Sequence, residues 1–407
     1  MKSFFLNCQS YLLNINIDYN PAKRVAEGSV NRKEAGSDML GSMFRSGMVV
    51  FIIMLMWREL AVEVEAQARK LAADEVKALH EIARELGKRD WDFTKDPCST
   101  HSGWIHTETD PMNLYNSTLI CNCSFPGDVC HVDSIFLKGQ DLPSVLPPSL
   151  VKLPYIRQVD FSRNYLSGTI PPAWTSTKLE VLSASINRLS GPIPKYLGNI
   201  TTLRVLSLES NMFFGPIPPR LGNLVNLEKL ISDMTNSEKM KSWSNGGTEF
   251  SYVDTDLIFF VGDYSVLNAN YLTGELPQAL TQLTKLTEFR IGSNNFIGRI
   301  PNIYGNWTQL QKLQISASGF EGPIPPSISS LTNLTELRIS DLNGGVSQFP
   351  FLRNMKDLER LMLRSCNIYG EVPAFLSDLP KLRIIDLSFN RLVGISRRFT
   401  STHLEKM

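Results

Sequence analysis

The chain has 407 residues, 43% of them hydrophobic, and its 41 basic against 40 acidic side chains leave a net charge of +1. A chain of this length and composition can bury a long core. Without a basic excess it has no electrostatic hold on a phosphate backbone, which argues against a nucleic-acid partner.

Residues 1–38 are mostly polar and charged and are expected to be a spurious or disordered extension, with Met39 or Met43 as the natural start. Met48–Trp57 (MVVFIIMLMW) is an apolar run behind Arg45, and Ala66-Gln67-Ala68 has the small-x-small pattern of signal cleavage. A run of about ten residues is too short for a bilayer span, which takes about 20. Residues 39–68 are therefore expected to be a signal peptide, with a retained anchor or a core helix as the other readings. This is expected to place the chain on the secretory pathway.

Residues 69–131 are expected to form an N-terminal cap. A helix is predicted over Ala73–Leu86, with Val76, Leu79, Ile82 and Leu86 on one face and Gly87 as its stop. Cys98, Cys121, Cys123 and Cys130 fall in the same region. In an oxidising compartment they read as two disulfides; Cys98 with Cys121 and Cys123 with Cys130 is favoured, and other pairings stay open. A zinc site is the competing reading, since His101, His106 and His131 are close by, but the ligand spacing is irregular. No metal and no cofactor are expected.

From Ile156 onward one phrase recurs, clearest at Leu203–Pro218 as LRVLSLESNMFFGPIP, that is LxxLxLxxNxxxGxIP. Leu179, Leu203, Leu227, Leu286, Leu310, Leu334, Leu358 and Leu382 recur about 24 residues apart except across one gap, the period of a leucine-rich repeat solenoid. Alternation in the LxL pair predicts a short strand in each coil. Asn164, Asn187, Asn211, Asn294 and Asn390 are expected to form a buried ladder whose amides bond backbone groups left open by the turn. Gly-x-Ile-Pro (Gly191–Pro194, Gly215–Pro218, Gly322–Pro325) is expected to bend the chain at glycine and bury the isoleucine. The fold class is thus α/β: a right-handed solenoid with a parallel sheet on its concave face and a helical cap over its first coil.

Repeats occupy 132–231 and 267–394. The unit beginning at Leu334 lacks Gly-x-Ile-Pro, so Gly344, Gly345 and Phe349 must form a different outer loop. After Leu227–Ile231 the phrase resumes only at Leu267; residues 232–266 split one repeat and are expected to loop out or distort a coil. Retained non-coding sequence is the favoured origin, and a functional insert is the other. Residues 395–407 read as the disordered tail of an unfinished repeat. Cys366 stands at a ladder position and is expected to be a buried free thiol.

Asn116, Asn199, Asn306 and Asn333 begin Asn-x-Ser/Thr acceptors and are expected to carry glycans, while Asn122 is cramped between two cysteines. No catalytic set is present: no glycine-rich loop with a Val-Ala-Ile-Lys strand, no His-Arg-Asp loop, no Asp-Phe-Gly and no Gly-x-Ser-x-Gly. Glu336 and Asp341 read as solvated strand-face residues rather than a glycosidase pair. The central outward row should be Asp160, Ser183, Ser207, Arg290, Gln314, Arg338, Met362 and Asp386, with Lys312, Arg360 and Arg364 in adjoining rows, making the second half basic. Arg290, Gln314, Arg338, Met362 and Arg364 are the candidate ligand contacts, suited to an extended acidic peptide or a carboxylate terminus. The competing reading is that these charges keep a long sheet soluble.

The repeat phrase, the segment DEVKALHEIARELGKRDWDFTKDPCS (Asp74–Ser99) and CNCSFPGDVCHVDSIFLKGQDLP (Cys121–Pro143) together resemble the plant receptor-like serine/threonine kinases of the leucine-rich-repeat and malectin-like class, the subfamily VIII type. The resemblance covers roughly Met43–Leu392 and implies an extracellular recognition ectodomain, with the membrane span and kinase lying outside this chain. The partners it implies are a peptide or cell-wall-derived glycan ligand, a co-receptor ectodomain, or both. The alternative is a secreted leucine-rich repeat inhibitor of a cell-wall-degrading enzyme; the absence of a closing cysteine pair after Leu392 favours the receptor.

Overall fold

A computed structural model describes residues 69–99, 104, 115–127, 129–231, 270–302 and 304–394. The extension 1–38, the signal segment 39–68, His101, His106, the insertion 232–266 and the tail 395–407 lie outside the described residues. No helix among the described residues is long and apolar enough to cross a membrane.

The first helix, α1, spans Ala73–Leu86 and ends where Gly87 takes a left-handed φ of 75°. Asp74 and Glu75 in its first turn and Arg84 in its last oppose the helix dipole. Its buried face comprises Glu75, Ala78, Leu79, Ile82, Ala83 and Leu86. This corrects the expected stripe, because Val76 is only partly buried and packs at its edge. Glu75, 2% exposed, accepts a hydrogen bond from the Val132 amide at 2.8 Å and meets Nδ1 of His131. At the other end Glu85 accepts from the Ser149 amide at 3.0 Å, and Glu81 bonds Ser149 Oγ at 2.8 Å and Lys152. These hydrogen bonds hold the Glu81 carboxyl below its usual range, that to Lys152 first. The helix is thereby fixed to the first long strand and to the first outer turn.

Disulfides join Cys98 to Cys121 and Cys123 to Cys130, with Cα separations of 5.6 and 4.1 Å. All four thiols of the cap are thus consumed, which removes the thiolate ligands that a zinc site would need.

The principal sheet has twelve strands among the described residues. Lys70–Leu71 runs parallel and Asn116–Asn122 antiparallel to Val129–Lys138, and from there Gln158–Asp160, Val181–Ser183, Val205–Ser207, Lys229–Ile231, Glu288–Arg290, Lys312–Ser316, Glu336–Ser340, Arg360–Arg364 and Ile384–Asp386 follow in parallel. The phrase leucines Leu179, Leu203, Leu227, Leu286, Leu310, Leu334 and Leu358 are 0% exposed and join one continuous core. Burial of this kind supplies about 1.5–3 kcal/mol per leucine, which a single coil cannot obtain alone. The fold is a leucine-rich repeat solenoid.

Register survives the split repeat. Leu230 pairs with Leu206 on one side and with Phe289 on the other, so the coil opened at Leu227 keeps its place in the sheet. Asn270 then takes the ladder position of that coil: its carbonyl accepts from the Phe213 amide at 2.9 Å and its amide donates to Leu208 at 3.0 Å. Asn164, Asn187, Asn211 and Asn294 likewise accept from the Leu142, Leu166, Leu189 and Leu272 amides and are all buried. Asn390 is less enclosed but accepts from Cys366 and Ile368. Cys366 is a buried free thiol that donates to the Ile339 carbonyl at 3.2 Å.

The residue before the ladder position has a left-handed backbone at Arg163 (φ 57°), Ile186 (55°), Ser210 (54°), Ser293 (50°) and Phe389 (57°). The bend at Gly-x-Ile-Pro also uses left-handed glycine at Gly191 and Gly215, whereas Gly322 does not adopt it. A second parallel sheet, not anticipated from sequence, joins Ser167–Gly168, Arg188–Pro192, Met212–Gly215, Tyr271–Gly274 and Asn295–Phe296. Short 3₁₀ helices such as Lys195–Asn199 and Pro219–Asn223 close the outer side and bury Leu197 and Leu221. In the deviant unit, Glu336–Ser340 stays in register while Leu352 and Met355 fill the core behind the altered loop.

Candidate recognition face

Strand pairing aligns Asp160, Ser183, Ser207, Ile231, Arg290, Gln314, Arg338, Met362 and Asp386 in one row. The expected central row therefore exists, and neighbouring members sit about 4.8 Å apart.

Its electrostatics differ from the expectation. The adjoining row reads Lys229, Glu288, Lys312, Glu336 and Arg360, with signs alternating from strand to strand. Glu288 lies between Arg290, at 2.5 Å, and Lys229, at 3.4 Å; Glu336 is paired with Arg338. The second half is thus interleaved rather than uniformly basic. Glu336 is buried in an ion pair, which corrects its reading as a solvated residue. Arg290, Gln314 and Arg338 are themselves buried.

Met362 is partly buried and Arg364 is exposed. The Arg364 guanidinium stands 4.6 Å from the centroid of the Phe389 ring, which is 74% exposed. An arginine over an open aromatic face keeps its planar fork available for a carboxylate. Lys312 and Arg360 lie in the adjoining row of the same strands.

The first half of the face contains a polar cavity of about 200 Å³ over short side chains, among them Ser183, Ser185 and Ser207, with Lys138 and Arg163 at one end and Lys229 and Arg290 at the other. A separate row at the strand entrances runs Asp133, Arg157, Glu180, Arg204 and Glu228, again alternating in sign. Arg204 reaches Glu228 through two bonds of 2.8 and 3.1 Å.

Of the acceptor asparagines, Asn199, Asn306 and Asn333 are exposed just before main-sheet strands. Asn306 and Asn333 donate to the Thr281 and Thr308 carbonyls of the preceding coil at 3.3 and 2.7 Å. Asn116 is partly buried and accepts from Thr118 at 2.7 Å.

Comparison with known proteins agrees with this geometry. The family model described as Leucine Rich Repeat matches residues 202–224. A probable LRR receptor-like serine/threonine-protein kinase of Arabidopsis thaliana is 46% identical over 134 residues, which are 32% of this chain and 13% of that protein. A second such kinase from the same plant is 42% identical over 135 residues, with the same coverage. The chain thus matches only a small part of the length of these relatives. Among solved structures, the LRR ectodomain of the plant membrane receptor kinase GASSHO1/SCHENGEN3 from Arabidopsis thaliana, in complex with CASPARIAN STRIP INTEGRITY FACTOR 2, superposes with a TM-score of 0.54 at 22% identity. That match covers 79% of this chain and 36% of the other and bears on the fold. With its stapled cap, its asparagine ladder and its stacked coils, the chain is a leucine-rich repeat protein similar to plant LRR receptor-like serine/threonine kinases over the part that they share.

Proposed function

We propose that the chain is an extracellular recognition module of a plant LRR receptor-like kinase, and that its sheet face binds an extended acidic peptide, a cell-wall-derived fragment or a co-receptor. The observation that carries this reading is the Arg364–Phe389 pair beside Met362, an exposed cation and an exposed aromatic side chain at one end of a long in-register row. Arg290, Gln314 and Arg338 continue the row and would contribute where a ligand carboxylate displaces Glu288 or Glu336. The chain's similarity to receptor kinases supports this reading. The two disulfides support the extracellular setting.

The test is binding of acidic and charge-neutralised peptide pools to the full chain, followed by Arg364→Ala and Met362→Ala. An acidic pool should bind and lose about tenfold in affinity on Arg364→Ala, the worth of one charge-assisted contact. Equal affinity of the parent and both variants would remove this end of the row from the site.

A further inference from the structure

The polar cavity on the first half of the sheet face takes no part in the contact at Arg364. Its floor is laid by Ser162, Ser183, Ser185 and Ser207, all from coils ahead of the split repeat. Strand pairing sets Ser183 beside Ser207, and the Arg163 amide donates to the Ser185 carbonyl. The four hydroxyls thus come from three adjacent coils, about 4.8 Å apart.

Buried hydroxyls ordinarily find a partner within the protein. Ser185 Oγ and Ser207 Oγ meet at 2.6 Å, a contact that uses one hydrogen and leaves the other free. Ser162 is only 6% exposed, and its amide donates to Asp160. Its Oγ bonds no group among the described residues, nor does Ser183 Oγ, and both residues line the cavity. Three carboxylates stand among the four cations of the lining, and Glu288 is already held by Arg290 and Lys229. Donors and acceptors therefore lie side by side with little net charge.

We propose that this cavity binds one ring of a neutral carbohydrate. Neighbouring sugar hydroxyls both donate and accept, as the serines do, and need no countercharge. A multiply charged anion would meet the three carboxylates, and an apolar ligand would leave the floor unpaired. The cavity volume of about 200 Å³ falls below the roughly 300–1,000 Å³ of pockets that enclose a whole drug-sized ligand. A single ring therefore enters, and the rest of a longer chain lies along the face. The site rests on the reading of the sheet as a recognition surface and adds a second contact to it. Ser207 lies five strands from Arg364, about 24 Å at the usual spacing.

The test is titration of the full chain, followed by saturation-transfer NMR, with the methyl glycosides of glucose, galactose and xylose. Cyclohexanol, a ring of like size with a single hydroxyl, is the control. At least one glycoside should bind with a dissociation constant of about 1 mM or below, and cyclohexanol should not bind. Ser183→Leu should fill the cavity and weaken binding by at least about tenfold. The same row carries Ile231 and Met362, so the strand accepts the larger side chain. Ser183→Ala, which removes only the hydroxyl, should weaken binding by a smaller factor. Arg364→Ala should leave glycoside binding unchanged, which separates this site from the acidic-ligand contact. Binding of no glycoside, equal binding of cyclohexanol, or a Ser183→Leu chain that binds as the parent does would overturn the proposal.

Discussion

Gly222 lies against Ala279 of the next coil, so close that a Cβ on the glycine would stand 2.4 Å from the Ala279 carbonyl oxygen. Although 57 positions separate the two residues in sequence, their 3₁₀ helices stack as nearest neighbours, as Gly198 does on Arg220 one coil earlier. Gly222→Ala should therefore force the two coils apart and cost about 1–3 kcal/mol, read as a lowered urea midpoint. Gly305, at the same place in its own repeat, has open space for 4 Å around the position that a Cβ would take, so Gly305→Ala should leave the midpoint unchanged by packing.

Asn270 offers a second check on how the split repeat closes. Its side chain satisfies the Phe213 amide and the Leu208 carbonyl, both in the preceding coil. Removing it by Asn270→Ala strands the buried Phe213 amide, a loss of about 1–3 kcal/mol, while the Leu208 carbonyl keeps its bond from Asn211. An unaltered urea midpoint would mean that this asparagine does not bear the ladder's load in solution.

The strand rows and the ladder were legible because each follows from a period: alternate residues face outward, and the asparagine recurs at a fixed offset from the leucines. The interleaved charges were not. Glu288 and Glu336 stand two residues before Arg290 and Arg338 on the same strand, and a reading that takes the basic members of the adjoining row, Lys312 and Arg360, and treats Glu336 as solvated leaves the acids out of the balance. Glu75 was missed for a similar reason, since a charged residue in the first turn of a helix is ordinarily solvated, whereas here it serves the Val132 amide. The left-handed residues before the ladder leave no compositional trace, being arginine, isoleucine, serine or phenylalanine. Their backbone is imposed by the turn and its bonds to the next coil.

Ile186 is the costliest of those left-handed positions, because a β-branched side chain crowds its own backbone at a φ of 55°. Asparagine tolerates that region. Ile186→Asn should therefore raise stability by about 1 kcal/mol, seen as an upward shift of the urea midpoint.

Cys366 gives a prediction in pH. Burial, chiefly, and the charge of Asp341 push its thiol up to about 12 from the usual 9.0. The neutral form is favoured in the fold, so the stabilisation is complete below the pH at which an unfolded thiol ionises and is lost as pH rises from there through the folded value. Mass mapping after iodoacetamide treatment should find the Cys366 peptide unmodified in the native chain at about pH 8 and modified in urea. Native labelling at a rate equal to that in urea would contradict the enclosed thiol.

The pairing of Arg338 with Glu336 sets a condition on ligand binding. Both side chains are buried, and the carboxylate already occupies the guanidinium that an acidic ligand would seek. Glu336→Gln keeps the shape and a hydrogen-bond acceptor but withdraws the competing charge. If an acidic peptide reaches this part of the row, the variant should bind it several-fold more tightly, while Arg338→Ala should weaken it. The same change leaves Arg338 with less compensation in the free chain, so a fall in the urea midpoint of about 1 kcal/mol or more should accompany the gain. Tighter binding together with lower stability is the signature of a ligand carboxylate taking the place of Glu336. Lower stability with unchanged affinity would confine the acidic ligand to the end of the row at Arg364.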